Sequence, residues 1–164
     1  MAFVLTSPGF ANGDVLPQAQ VYNGMGQTGQ NLSPALQWHG APQGTKSFVI
    51  TAYDPDAPTG SGWWHWVVVN LPPSTTALPE GAGSAQASLP EGAIQVRTDF
   101  GVPGYGGAAP PAGRVHRYVF TVYALDVPTL DVTPEASPAL VGFMVHHHQL
   151  GSASLTALYG SSTH

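Results

Sequence analysis

Runs of apolar residues rich in β-branched and aromatic side chains are the clearest pattern in this chain. Such residues fit the pleated, half-buried surface of a sheet, so each run predicts a strand. The three strongest runs, expected to form central strands, are Ser47 to Tyr53, Trp63 to Leu71 and His116 to Leu125. Weaker runs, expected nearer the sheet edges, are Phe3 to Thr6, Leu36 to His39 and Ala93 to Thr98.

One segment has the pattern of a helix. Ser137 is a favoured N-cap residue and Pro138 suits the first helical position. The apolar stretch that follows ends at Gly151, the residue type preferred just past a helix end. The tail from Ser152 to Tyr159 contains no Gly or Pro and is predicted to add a last strand.

Turn-forming residues are spread along the whole chain. The 20 glycines and 16 prolines are not concentrated in one linker, which is typical of many turns between short strands. Two connections, Pro72 to Ser88 and Asp99 to Arg114, are long enough to suggest loops that are either functional or mobile. With 164 residues, the chain is predicted to form one domain, residues 1–164, of an all-β dominated class.

Composition excludes several function classes. Four Lys and Arg residues against nine Asp and Glu leave no basic surface for a phosphate backbone, so nucleic-acid binding is not expected. The lack of cysteine rules out thiolate metal sites, disulfides and a cysteine nucleophile. No apolar stretch approaches the roughly 18 residues of a membrane span, and the N-terminal residues do not resemble a signal peptide. A soluble, cytoplasmic protein is therefore expected.

Polar side chains cluster at the ends of two predicted strands. Asp54 and Asp56 follow the first central strand directly, and His65 lies near the start of the next one. Sequential antiparallel strands bring these two ends to one rim, so the three side chains are expected close together. The prolines of the segment from Asp54 to Pro58 restrict the backbone, which predicts a rigid turn.

The third central strand begins with a second polar group. His116 and Tyr118 lie two residues apart and share one face, whereas Arg117 projects from the other and is expected to pair with an acidic residue. The preceding glycine-rich loop lets backbone N–H groups approach an anion. Imidazole and phenol donors at this rim suit a phosphate or carboxylate, and neighbouring carboxylates are expected to raise the pKa of the imidazoles.

These features also have a purely structural interpretation. Asp and Pro are common turn formers, and a histidine beside aromatic residues is often only part of the core. Trp63, Trp64 and Trp66 fit a core or a pocket wall. The functional interpretation gains weight because the motifs occur together in one chain.

In combination, the motifs resemble the phosphatidylethanolamine-binding proteins, in particular their bacterial Raf-kinase-inhibitor-like branch. The resemblance covers nearly the whole chain and rests on four segments: Ser33 to Trp38, Asp54 to Pro58, Trp63 to Pro72 and Tyr105 to Phe120. It implies a β-sandwich of two antiparallel sheets with one or two short helices. It also implies a small anion pocket at one rim of the larger sheet.

The resemblance indicates which residues line that pocket. Asp54, His65, His116 and Tyr118 match the family's pocket aspartate, histidines and tyrosine, and the loop from Tyr105 to Pro111 matches its pocket-lining loop. The complete set of predicted ligand-binding residues is Asp54, Asp56, Pro58, His65, Tyr105, Gly107, Ala109, Pro111, His116 and Tyr118. No cofactor is expected.

Three adjacent histidines, His146, His147 and His148, suggest a metal site at first sight. On a helix, neighbouring side chains point about 100° apart, so the three rings cannot converge on one ion and no metal site is expected. The resemblance implies that His148 is the histidine that bacterial relatives place in this helix. It also implies homodimer formation, with which the low charge of the chain is compatible.

Three functional hypotheses follow. The favoured one is a binding protein whose pocket holds a small anionic or phosphate-bearing ligand by hydrogen bonds alone. The second is an enzyme in which His65, His116 and Asp54 supply general acid–base catalysis of an isomerisation, cyclisation or hydrolysis, although no GxSxG or HExxH pattern occurs. The third is regulation of a partner kinase or protease. It is implied by the family's kinase-inhibitor name, but the sequence shows no evident surface for docking a partner protein.

Overall fold

The computed structural model describes residues 2–84 and 89–161. Its strands form a three-stranded sheet of order β1-β2-β5 and a five-stranded sheet of order β6-β4-β3-β7-β8, and all neighbouring strands are antiparallel. The strands are β1 (Val4–Thr6), β2 (Leu36–His39), β3 (Ser47–Asp54), β4 (Trp63–Leu71), β5 (Ala77–Leu78), β6 (Ile94–Gln95), β7 (Val115–Leu125) and β8 (Gln149–Gly160). The helix α1 spans Pro138–His148 and a short 3₁₀ turn spans Gln18–Gln20.

The three strongest apolar runs form the centre of the larger sheet, as predicted. Successive residues of these strands enter two separate cores, because side chains alternate between the two faces of a sheet. Ile50 and Trp66 pack between the sheets with Trp38 of the smaller sheet. Val49 lies on the opposite face and packs with Val141 of α1. Burial of both faces explains why β3, β4 and the second half of β7 are rich in apolar residues.

The C-terminal part of the chain differs from the sequence prediction in one respect. The predicted N-cap is confirmed, since Ser137 Oγ accepts a hydrogen bond from the Leu140 N–H at 3.1 Å. The helix ends at His148, however, and Gly151 lies inside β8 rather than past a helix end. β8 pairs with β7 from one end to the other, and this ladder outweighs the local preference of the glycine.

The weaker runs form short strands. β1 and β2 lie where they were predicted, whereas only Ile94–Gln95 of the third run pairs with β4. The long loop from Pro72 to Ser88 contains the unpredicted strand β5, and residues 85–88 at its end lie outside the described residues. Within the described part of the chain, no helix is long and apolar enough to cross a bilayer.

Candidate functional site

A cavity of about 180 Å³ opens where β3 ends and β4 and β7 begin, at one end of the core between the sheets. This volume is below the roughly 300–1,000 Å³ of pockets for drug-sized ligands, so it suits a head group or a small metabolite. Its lining consists of Met25, Asp54, Ala57, Pro58, Thr59, Trp63, His65, Phe100, Ala109, Pro110, Pro111, His116 and Tyr118.

Asp54 and His116 form a buried pair in the wall of this cavity. The two residues end β3 and begin β7, which are neighbours in the sheet, and Asp54 Oδ2 lies 2.6 Å from His116 Nδ1. Their side chains are 4% and 3% exposed. Asp54 Oδ1 accepts the Asp56 N–H at 2.7 Å, which closes the predicted turn. The carboxylate therefore orients the imidazole through Nδ1, and Nε2 has no hydrogen bond to the described residues.

A β-bulge brings His65 to the same cavity. Ala52 pairs with Trp66 and Tyr53 pairs with Trp64, so His65 is an extra residue on β4 with no partner on β3. Bulges redirect side chains, and this one sets the His65 ring 5.2 Å from the Tyr118 ring, centroid to centroid.

The backbone of Gly106 holds His65 in place. The Gly106 N–H donates to the His65 carbonyl at 2.9 Å, and His65 Nδ1 donates to the Gly106 carbonyl at 2.7 Å. Burial lowers the pKa of His65, against the opposing effects of the Gly106 carbonyl and the Asp54 carboxylate. Nearby carboxylates do act to raise the pKa of His65, as expected, but the cost of desolvating a charged ring is larger, so the net shift is downward.

Two hydrogen-bond donors in the cavity wall have no partner among the described residues. They are the Tyr118 hydroxyl and the Trp63 indole N–H, both of which are buried. Burial, together with the nearby Asp54 carboxylate, raises the pKa of Tyr118, so its hydroxyl keeps its proton. Buried donors are normally paired, which makes these two candidates for contact with a ligand.

Aromatic and apolar side chains form the rest of the wall. The Phe100 ring packs edge-to-face against His65 at 5.5 Å and against Trp63 at 5.3 Å, and it stacks on Tyr22 at 4.8 Å. Met25 lines the cavity while 69% exposed, so it lies at the mouth. No lysine or arginine is among the described lining residues.

Seven of the ten predicted ligand-binding residues line the cavity: Asp54, Pro58, His65, Ala109, Pro111, His116 and Tyr118. The structure gives the other three different contacts. Asp56 accepts two hydrogen bonds from the Arg117 guanidinium, at 2.9 and 3.0 Å, which is the ion pair expected for that arginine. Tyr105 donates its hydroxyl to the Gln20 carbonyl at 2.7 Å, and the Gly107 N–H donates to Asn31 Oδ1 at 2.7 Å.

Five lining residues were not singled out from the sequence: Met25, Ala57, Thr59, Phe100 and Pro110. Two of them, Ala57 and Pro110, lie inside segments that were already identified as a rigid turn or a pocket-lining loop, and Thr59 directly follows that turn. Phe100 directly follows Asp99 at the start of the second long loop. An aromatic side chain at that position could have suggested part of the cavity wall. Met25 lies far from the motifs in sequence, and nothing local indicates its position.

The three adjacent histidines of α1 lie away from the cavity. His146 and His147 are exposed, and His147 Nδ1 donates to the Phe143 carbonyl at 2.9 Å. His148 is half-buried and pairs with Asp126 at 3.0 Å. Among the described residues, no group of three or more His, Cys, Asp or Glu side chains could hold a metal ion.

Comparison with known proteins supplies independent evidence. The sequence profile described as "Phosphatidylethanolamine-binding protein" matches residues 6–160. The chain is 60% identical to YbhB of Escherichia coli over 155 residues, which are 94% of this chain and 98% of YbhB. The crystal structure of YbcL from Escherichia coli, described as a member of the mammalian PEBP family, superposes with a TM-score of 0.93 at 48% identity. That match covers 96% of this chain and 98% of the YbcL chain.

A more distant bacterial structure agrees. A protein of Chlamydia trachomatis, described as a phosphatidylethanolamine-binding protein homologue, superposes with a TM-score of 0.81 at 31% identity and covers 96% of this chain and 97% of its own. Fold, sequence profile and closely related bacterial proteins therefore agree, and the chain belongs to the bacterial branch of the phosphatidylethanolamine-binding protein family.

Proposed function

We propose that the cavity binds a small ligand through a phosphate or carboxylate group. The observation that carries this proposal is the convergence on one small cavity of His65, His116 and the Tyr118 hydroxyl, which has no hydrogen-bond partner within the described part of the chain. A phenol hydroxyl can donate to an oxyanion oxygen, an imidazole nitrogen can share a proton with one, and hydrogen bonds to a charged group are stronger than neutral ones. The apolar wall around Phe100 and Trp63 would contact the rest of the ligand.

An NMR titration tests this proposal. Phosphate, phosphoethanolamine and acetate are added separately while the imidazole signals of His65 and His116 are followed. Saturable shifts of both rings, with little change at the exposed His39, are the expected result. The absence of any saturable shift with all three compounds would contradict anion binding.

Two buried tyrosines provide a matched pair of variants. Tyr118→Phe removes a hydroxyl that has no protein partner among the described residues, so it should leave the free energy of unfolding unchanged or slightly higher. It should weaken phosphate binding by about 10-fold to 100-fold, the equivalent of one hydrogen bond to a charged group.

Tyr105→Phe should show the reverse pattern. Its hydroxyl is bonded to Gln20 and lies outside the cavity lining, so its loss should cost about 1 kcal/mol of stability and leave binding unchanged. This variant also tests the sequence prediction that Tyr105 contacts the ligand. Equal binding by wild type and Tyr118→Phe would argue against the role of Tyr118.

General acid–base catalysis is the second candidate function, and the Asp54–His116 pair favours it. A carboxylate that orients an imidazole is the usual arrangement of a general base, and the 2.6 Å contact is of this kind. Incubating phosphoethanolamine with an equal concentration of protein and following its ³¹P signal separates the two functions. A binding protein returns the compound unchanged, whereas product formation that is lost in His116→Gln would establish catalysis.

A further inference from the structure

The position of the proton on His65 is set by the backbone. A carbonyl oxygen can only accept, so the contact of His65 Nδ1 with the Gly106 carbonyl at 2.7 Å requires the proton to be on Nδ1. Gly106 is held in place, because its own N–H is bonded to the His65 carbonyl and the Phe100 ring packs so closely on it that no Cβ would fit between them. The structure therefore specifies the tautomer of the neutral ring.

The other ring nitrogen, Nε2, is then an acceptor. Burial lowers the pKa of His65, which favours the neutral ring at neutral pH. The titratable groups around this ring are the carboxylates of Asp54 and Asp99 and the side chains of His116 and Tyr118. Both carboxylates act to raise the pKa of His65, but burial lowers this pKa by more.

An acceptor nitrogen in the cavity wall repels an oxyanion unless a proton lies between them. No lysine or arginine side chain compensates within the described lining, and Arg114 and Arg117 pair with Asp56 outside it. An oxyacid group that retains one proton meets this requirement, because its O–H donates to Nε2 while its other oxygens accept from donors such as Tyr118.

We propose that the cavity binds an oxyacid group together with one proton, which is held between a ligand oxygen and His65 Nε2. This inference rests on the proposed function and specifies its ligand class. Phosphate monoesters and carboxylic acids are preferred, because they can carry that proton, over sulfate esters and phosphodiesters, which cannot. A phosphate monoester loses its second proton near pH 6, so its affinity should fall about 10-fold per pH unit well above that value.

Methyl phosphate and methyl sulfate are matched probes for the first test. At pH 5.5 both are mainly monoanions of similar shape and differ by one proton. Isothermal titration calorimetry should show methyl phosphate binding at least 10-fold more tightly. Comparable affinities for the two compounds would overturn the inference.

Proton uptake provides the second test. Titrations with methyl phosphate at pH 8, in buffers of different ionisation enthalpy, should show uptake of close to one proton per bound ligand. Binding without proton uptake at pH 8 would overturn this inference and leave the proposed function intact. Failure of methyl phosphate, inorganic phosphate and acetate to bind at any pH would overturn both.

His65→Gln identifies the residue responsible. A glutamine amide can turn its NH₂ group toward the ligand, so the variant should lose both proton uptake and the preference for methyl phosphate. His39→Gln, at an exposed position of β2, is the matched control and should retain both. The ligand comparisons on the wild-type protein decide the inference even where His65→Gln does not fold.

Discussion

Two Asp–His pairs in this protein differ mainly in burial, and this difference allows a sharp prediction about Asp54. The side chains of Asp54 and His116 are 4% and 3% exposed, and the contact is 2.6 Å. The side chains of Asp126 and His148 are 49% and 40% exposed, and the contact is 3.0 Å. The same substitution, Asp→Asn, can therefore be compared in buried and in exposed surroundings.

Asp54→Asn should destabilise the protein clearly. Asp54 accepts one hydrogen bond on each oxygen, from His116 and from the Asp56 N–H, whereas an asparagine has a single acceptor oxygen. The variant therefore loses one acceptor at a buried charged site, which costs about 1.5–3 kcal/mol. For a domain of this size, each kcal/mol lowers Tm by about 2–4 °C, so we expect a decrease of about 3–12 °C.

Asp126→Asn is the control, and its expected cost is below about 1 kcal/mol because solvent screens an exposed pair. Urea unfolding at pH 7, followed by tryptophan fluorescence, measures the free energy of unfolding of both variants, and calorimetry gives their Tm values. If Asp54→Asn cost no more than Asp126→Asn, the argument that burial strengthens the Asp54–His116 pair would be refuted.

Two further predictions concern the supports of the site. Gly106→Ala should lower the free energy of unfolding by about 1–3 kcal/mol and weaken phosphate binding, because the new Cβ overlaps the Phe100 ring. Gly60→Ala is the control. Its Cβ meets nothing among the described residues, so its unfolding in urea should be nearly unchanged. Equal costs for the two alanine variants would contradict the packing argument. Hydrogen bonds from the Arg117 side chain lower the pKa of Asp56 from 3.8 to about 2. The stability that this ion pair provides is therefore present above pH 4 and is lost as the pH falls toward 2. The difference in unfolding free energy between wild type and Arg117→Ala should therefore shrink from pH 4 to pH 2, and a constant difference would disprove the assignment.

The sequence predicted best those strands in which most residues are buried. The strands β3 and β4 and the second half of β7 are buried on both faces along most of their length, and any sheet that buries them must use these segments. The error at Gly151 arose because a glycine after a helix resembles a stop, whereas the chain continues directly into the ladder with β7. Short strands such as β5 have too few residues to form a pattern, so their pairing partners define them.

The sequence also determined most of the cavity's chemistry, since its motifs named Asp54, His65, His116 and Tyr118. Residue type and strand pattern alone could not decide which carboxylate enters the cavity; the family resemblance pointed to Asp54, but Asp56 was predicted to bind the ligand as well. Asp54 and Asp56 are two residues apart and chemically equivalent in the sequence. Asp56 pairs with Arg117 only because β7 lies next to β3, so the tertiary structure decides their different roles.

The state of His65 likewise depends on the tertiary structure. Simple alternation along β4 places His65 on the face opposite Trp66, and only the bulge against Ala52 brings it into the cavity. Its tautomer depends on a carbonyl 41 residues away, and its lowered pKa depends on burial by the surrounding loops. Residue types and strand periodicity are properties of the local sequence. Bulges, tautomers and desolvation arise from contacts between distant segments, so only the folded chain establishes them.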